Sequence, residues 1–207
     1  MLRYKLLPAL LLIPIQCLAH PVTNEPSAEF RKVQLELDLG RYKSAELESL
    51  KLVKKLPESH MSYYYLGRSQ HGLQKLSEAI KSYNQAKKLK PNQPKTFHAQ
   101  GLTLARLGKI KEAIIMFNKA IQFNKSYFEA YSNRGIAKGA TGNYKSAIND
   151  FTTSIGLNPR HANSYRNRGI SKEAIKDLRG ACADWKIAAA LGQDDPTHWI
   201  KAQCKNK

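Results

Sequence analysis

The sequence predicts an all-α solenoid of about five stacked helix pairs, and three observations point to it. Alanine recurs at Ala45, Ala79, Ala113, Ala147 and Ala181, each 34 residues after the last. A glycine stands twelve residues before each of the last four, at Gly67, Gly101, Gly135 and Gly169, with Val33 at the first. Turn residues keep the same step, with Gly40, Gly108 and Gly142 at one position and Pro57, Pro91 and Pro159 at another. A unit of this length cannot bury its apolar face alone. It does so by stacking on its neighbours, which leaves a long curved surface rather than one deep pocket.

Within each unit, an aromatic follows the alanine by four residues (Tyr83, Phe117, Phe151, Trp185), and a small residue comes three later (Ala86, Ala120, Ser154, Ala188). Offsets of four and seven share one helical face, so this stretch is a second helix. Another aromatic stands four residues before each glycine, at Tyr63, Phe97, Tyr131 and Tyr165. A first helix therefore carries aromatic and glycine on the stripe that meets the second, with the glycine allowing close approach. Glycine between the helices and proline after the second supply the turns.

In chain order, residues 1–19 read as an export signal, 20–25 as a linker and 26–59 as a degenerate first unit. Regular units follow at 60–93, 94–127, 128–161 and 162–195, and 196–207 form a closing helix and tail. Tyr63, Leu66, Gly67, Ala79, Tyr83, Ala86 and Pro91 together resemble the tetratricopeptide repeat pattern, as do Tyr131, Gly135, Ala147, Phe151 and Pro159. The resemblance covers about Pro26 to Asp195 and implies a right-handed superhelix of helix pairs. The first unit departs most. Glu29, Val33 and Ser49 replace aromatic, glycine and aromatic, which leaves either a polar-faced cap or a loosely packed pair. Lys125 and Gln193 stand in place of proline, and Lys176 in place of the inter-helix glycine. Arg134 and Arg168 occupy a position where the family favours leucine. They are expected to lay their stems over the neighbouring helix with the guanidinium in solvent. Asp194-Asp195-Pro196 reads as a helix start, and Thr197 to Cys204 as a capping helix whose Trp199, Ile200 and Ala202 cover the last repeat.

The chain opens with Arg3 and Lys5, an apolar run from Leu6 to Ile15, and Cys17-Leu18-Ala19. Such a segment predicts a secretory signal cleaved after Ala19, so that the mature protein starts at His20. The run is too short for a membrane span and holds Pro8 and Pro14. In the alternative, Cys17 becomes a lipidated first residue, although Gln16 before it is larger than such sites favour. Cleavage leaves two cysteines, Cys182 and Cys204. An even count in an exported chain suggests a disulfide, and antiparallel helices folded about Gly192 bring the two thiols to similar heights. The plainer alternative makes Cys182 a small core residue and Cys204 a free thiol.

Formal charge is +18, and +16 once Arg3 and Lys5 leave. A surface this basic favours anionic partners. Lys54, Lys55, Lys87, Lys88 and Lys90, however, fall in last turns of second helices, where they complement the helix dipole and serve solubility.

The family resemblance implies that the first helices line a concave face. Mapped onto this chain, that face carries Tyr64, Arg68, Lys95, His98, Arg106, Asn133, Arg166 and Asn167. Asparagines can grip an extended backbone, and arginines suit carboxylates, so an extended acidic segment or a chain terminus fits. Some tetratricopeptide domains hold a chaperone's C-terminal carboxylate through fixed lysines, asparagines and an arginine. Here only Asn133 matches, while Leu102, Asn163 and Asn167 depart, which argues against that clamp.

The six histidines, His20, His60, His71, His98, His161 and His198, show no metal-ligand spacing, and no phosphate loop, serine elbow or dinucleotide fingerprint is present. No cofactor, metal or catalytic residue is expected. Asn124-Lys125-Ser126 fits a glycosylation acceptor, a pattern common by chance. Nucleic acid has only the charge in its favour, because the groove position running through Tyr64, His98, Ser132 and Arg166 lacks the recurring side chains of helical RNA readers. The sequence thus points to an exported, non-enzymatic scaffold that binds a protein segment in a groove and serves in assembly of an envelope or lumenal complex. Its alternative is a basic surface for an anionic polymer, a membrane surface or nucleic acid. The weak first unit leaves self-association through the ends open.

Overall fold

The structure, a computed structural model, describes residues 28–193 and Cys204. The segments expected to be an export signal (1–19), a linker (20–25) and a closing helix and tail (196–207, Cys204 excepted), with residues 26–27 and 194–195 of the first and last units, lie outside the described residues. Among the described residues are ten α-helices and no strand. They are α1 (Ala28–Asp38), α2 (Tyr42–Lys55), α3 (His60–Gly72), α4 (Leu76–Leu89), α5 (Pro94–Arg106), α6 (Ile110–Phe123), α7 (Phe128–Ala140), α8 (Tyr144–Leu157), α9 (Ala162–Ala174) and α10 (Leu178–Ala190). The all-α solenoid expected from the repeat period is what the chain forms. Each odd helix packs on the even helix after it, and each even helix packs on the next odd one. None of the helices is long and apolar enough to cross a membrane.

Glycine and aromatic meet as the spacing predicts. A Cβ placed on Gly67 would sit 2.6 Å from the Tyr83 ring, on Gly101 2.6 Å from Phe117, and on Gly135 2.8 Å from Phe151, with Gly169 equally tight against Trp185. Those four rings are almost wholly buried, so each hydrogen atom of a glycine is matched by a ring that fills the space beside it. The first unit fills these positions differently. Val33 replaces glycine and Ser49 replaces the aromatic, and both are fully buried. Phe30 stacks on Tyr65 with ring centroids 5.7 Å apart, and Val33, Leu37, Ala45 and Leu52 complete that cluster. Of the two expectations for this unit, the looser pair is the nearer: α1 meets α2 less extensively than the later paired helices meet each other, and turns part of its apolar face to Tyr65 of α3.

Every turn between paired helices uses a left-handed residue at the same repeat position: Gly40, Gln74, Gly108, Gly142 and Lys176, with φ of 69°, 64°, 76°, 79° and 68°. The six-to-one bonds of a Schellman turn follow, such as Lys75 N–H to Gln70 C=O at 2.9 Å and Lys109 N–H to Leu104 C=O at 2.9 Å.

Arg134 and Arg168 depart from expectation. Their guanidiniums do not reach into solvent but clamp buried carboxylates. Arg134 Nε and Nη2 donate to Asp150 Oδ2 and Oδ1 at 2.9 and 2.6 Å, and Lys138 Nζ lies 2.8 Å from Oδ2. Arg168 repeats this on Asp184 at 2.9 and 2.7 Å, joined by Lys172 at 2.8 Å. The third nitrogen reaches back to the preceding repeat, to Asn118 Oδ1 at 2.7 Å and to Thr152 Oγ1 at 3.1 Å. The physical reason is a carboxylate sixteen residues downstream in both units, almost fully buried and in need of charged donors. A disulfide joins Cys182 of α10 to Cys204 with Cα atoms 5.8 Å apart, and both cluster with Ala181 and Trp185.

Candidate functional site

Consecutive first helices touch one another along the stack, α1 on α3, α3 on α5, α5 on α7 and α7 on α9, whereas no pair of second helices makes comparable contacts. The stack therefore closes up on the first-helix side, and that side carries a groove divided into three compartments. A central cavity of about 620 Å³ lies between α3 and α5 and is lined by Tyr64, Arg68, Lys95, His98 and Tyr127, with Gln34 of α1 at one wall. A turn-side cavity of about 380 Å³ shares Arg68 with it and adds Tyr42, His71, Tyr83 and Arg106. A third, of about 500 Å³, lies between α7 and α9 and is lined by Glu129, Asn133, His161, Arg166 and Asn167. All eight side chains placed on the groove by the sequence line one of these three compartments.

Charge is unevenly spread along the stack. Residues 60–127 hold twelve lysines and arginines against two acids, Glu78 and Glu112. No carboxylate lines the central or the turn-side cavity, whereas Glu129 faces Arg166 in the third. Arg68 donates from Nη1 to Gln34 Oε1 at 2.6 Å and lies over the Tyr64 ring. It also bonds the Tyr64 hydroxyl, and no carboxylate among the described residues lines either cavity that Arg68 shares.

Two histidines organise the floor. His98 is held between Tyr127, whose hydroxyl lies 3.1 Å from Nδ1, and Asn133, whose Nδ2 lies 2.8 Å from Nε2. Burial pushes its pKa down to about 4, so the ring is neutral at physiological pH. His71 Nδ1 lies 2.8 Å from Thr103 Oγ1, which itself donates to Ala99 C=O at 2.9 Å. Thr103 therefore accepts from His71, and His71 Nε2 is left as an acceptor facing Arg106 Nη1 at 3.5 Å. Burial and the Arg106 charge lower the His71 pKa as well. Tyr64 and Tyr127 are pushed up by burial and remain protonated donors.

Sequence reasoning missed Gln34, Tyr42 and Tyr127. Tyr127 precedes α7 and so lies off the helical stripes. The signal was available in the repeat frame, because the residues before α5, α7 and α9 are Gln93, Tyr127 and His161, and all three line the groove. Asn133, placed on the groove as a backbone grip, spends its amide nitrogen on His98.

Comparison with known proteins agrees with this architecture. Family models described as tetratricopeptide repeat match residues 30–94 and 128–161, and one described as TPR repeat matches 101–142. No curated protein matches the sequence significantly. Among solved structures, MamA from Desulfovibrio magneticus RS-1 superposes with a TM-score of 0.69 at 18% identity, covering 80% of this chain and 95% of that one. YrrB, described as a TPR protein with an unusual peptide-binding site, gives 0.66 at 19% identity over 84% of this chain and 90% of that one. A chain of the APC/C hetero-tetramer Cut9–Hcn1 gives 0.72 at 18% identity, covering 81% of this chain and 32% of that one. At these identities the likeness concerns the fold. With the matched segments together spanning more than half of the sequence, the chain belongs to the tetratricopeptide repeat family.

Proposed function

We propose that this protein is a non-enzymatic scaffold that binds an extended, acidic protein segment along the first-helix groove. The observation that carries this reading is the pair of adjoining cavities lined by Arg68, Lys95 and Arg106 with no carboxylate beside them, in the part of the stack where positive charge is most concentrated. A strand-like peptide suits a groove that crosses several helices, because each compartment can take one side chain. That YrrB, of similar fold, is described as having a peptide-binding site supports the class of ligand. The N-terminal segment with its Cys17-Leu18-Ala19 ending supports export, with assembly of an envelope or lumenal complex as the process served.

A phage-displayed library of random nonapeptides, selected on the purified protein, tests the proposal. Enrichment of extended sequences with spaced Asp or Glu is expected, as is loss of the enriched peptide from a variant carrying Arg68→Ala and Arg166→Ala. Capture of any polyanion, indifferent to that variant and abolished by moderate salt, would replace the groove with a diffuse basic surface. Intact mass of the protein from its own cell tests export. A chain starting at His20 is expected, and retention of residues 1–19 would overturn it.

A further inference from the structure

The central cavity has one polar group whose direction is fixed by its neighbours. Asn133 Nδ2 points at His98 Nε2 over 2.8 Å, and an amide nitrogen can only donate. Nε2 is therefore the unprotonated nitrogen, and the single ring proton of neutral His98 sits on Nδ1. That proton is donated to the Tyr127 hydroxyl oxygen at 3.1 Å. The Tyr127 hydroxyl then has its own hydrogen left to give, and it lines the cavity that Arg68 and Lys95 also line. Its ring packs on the His98 imidazole with centroids 4.9 Å apart, so the hydroxyl is set by packing as well as by the bond. Tyr64 and Arg68 line the same cavity as Tyr127, whereas Glu129, whose charge also acts on the Tyr127 hydroxyl, lines the next compartment.

We propose that this space is a carboxylate subsite of the groove, in which one acidic side chain of the bound segment accepts a hydrogen bond from the Tyr127 hydroxyl while Arg68 supplies the opposite charge. His98 is a positioning residue: it holds the tyrosine oxygen as an acceptor and so aims the tyrosine hydrogen at the ligand. Because the depressed pKa keeps His98 neutral, the arrangement holds across the physiological range and brings no second cation to compete with the ligand. A carboxylate matches this donor set better than a backbone carbonyl, since Arg68 otherwise faces the cavity with no anion beside it. The subsite deepens the groove-binding reading and rests on it.

Two measurements test it. In the free protein at pH 7, nitrogen-15 NMR of the histidine rings should show His98 protonated on Nδ1 and bare on Nε2. The opposite tautomer would overturn the positioning role. Binding is then read with a fluorescein-labelled peptide from the nonapeptide selection. Tyr127→Phe, which keeps the ring packing, should weaken it about tenfold, the size of a hydrogen bond to a charged group. It should have no further effect on a peptide whose critical Asp or Glu is changed to the amide. If Tyr127→Phe binds as wild type while the Arg68→Ala variant does not, the subsite is wrong and the groove reading survives. If no peptide enriches, both fall.

Discussion

His98 makes the stability of this protein sensitive to mild acid, and the size of the effect follows from its burial. The ring sits between Tyr127, Asn133 and Phe117, and removal from water lowers its pKa to about 4 from the usual 6.5. A histidine whose folded pKa is depressed binds its proton more readily in the unfolded chain. Its contribution is therefore complete above pH 6.5 and is lost as pH falls from there toward 4. With one pKa unit worth about 1.4 kcal/mol, the loss between pH 7 and pH 5 comes to about 2 kcal/mol. Burial also lowers His60, His71 and His161, which tilt stability the same way. Glu48, lowered by its bonds to Lys51 and Lys32, gives up its contribution only below the ordinary carboxylate value of 4.5. Urea unfolding of wild type and His98→Gln, followed by circular dichroism at pH 7 and pH 5, isolates the one residue. Wild type should lose about 2 kcal/mol more than the variant over that interval. Equal losses would mean that His98 is solvated and titrates normally, and the fixed tautomer would go with it.

The two turns that lack glycine invite repair. Gln74→Gly and Lys176→Gly should each raise unfolding free energy by about 0.5–1 kcal/mol, because the left-handed residue no longer carries a Cβ, and calorimetry of the single variants would show it. Asp150→Ala should cost about 3 kcal/mol by stranding the Arg134 and Lys138 charges around a vanished partner. Removing the more exposed Lys51 from Glu48 should cost under about 1 kcal/mol in the same urea titration. Reduction of the Cys182–Cys204 bond, which closes a sequence separation of 22, should lower stability by about 3 kcal/mol, and a reductant-insensitive melting temperature would contradict the linkage.

The fold was legible because each repeat states its packing twice. A glycine on the first helix and a ring on the second are complementary volumes, and both recur at the same 34-residue interval as the alanine between them. The first unit was harder to read because Val33 and Ser49 each look like the loss of a signature residue, and only their burial shows that both are still core positions. Arg134 was misread for a related reason. Its partner Asp150 is sixteen residues away across a turn, and no single-helix periodicity joins positions so placed. The groove positions on first helices follow from the repeat frame, since one face of a regular helix is defined by its buried face. Tyr127 does not, because it stands before α7 begins and its place depends on how two repeats stack. The neutral state of His98 could not be read at all, since burial is a property of its neighbours.

The stack divides its arginines between two uses. In the last two repeats, Arg134 and Arg168 stand toward the second helix, where Asp150 and Asp184 absorb their charge and lock adjoining repeats together through Asn118 and Thr152. Here residues 128–195 hold ten bases against seven acids, and a charged ligand gains little from cations already paired in a low-dielectric interface. In the second and third repeats the corresponding first-helix residues are Leu66 and Gln100, so no ion pair forms there, and Arg68 and Arg106 face the groove instead. Coulombic repulsion among cations on neighbouring helices opposes folding, and Arg68 and Arg106 meet only neutral partners there, Gln34, Tyr64 and His71. An acidic segment lying across α3 and α5 would relieve that repulsion while gaining from it, so the part of the solenoid that is electrostatically least settled alone is the part best prepared to bind.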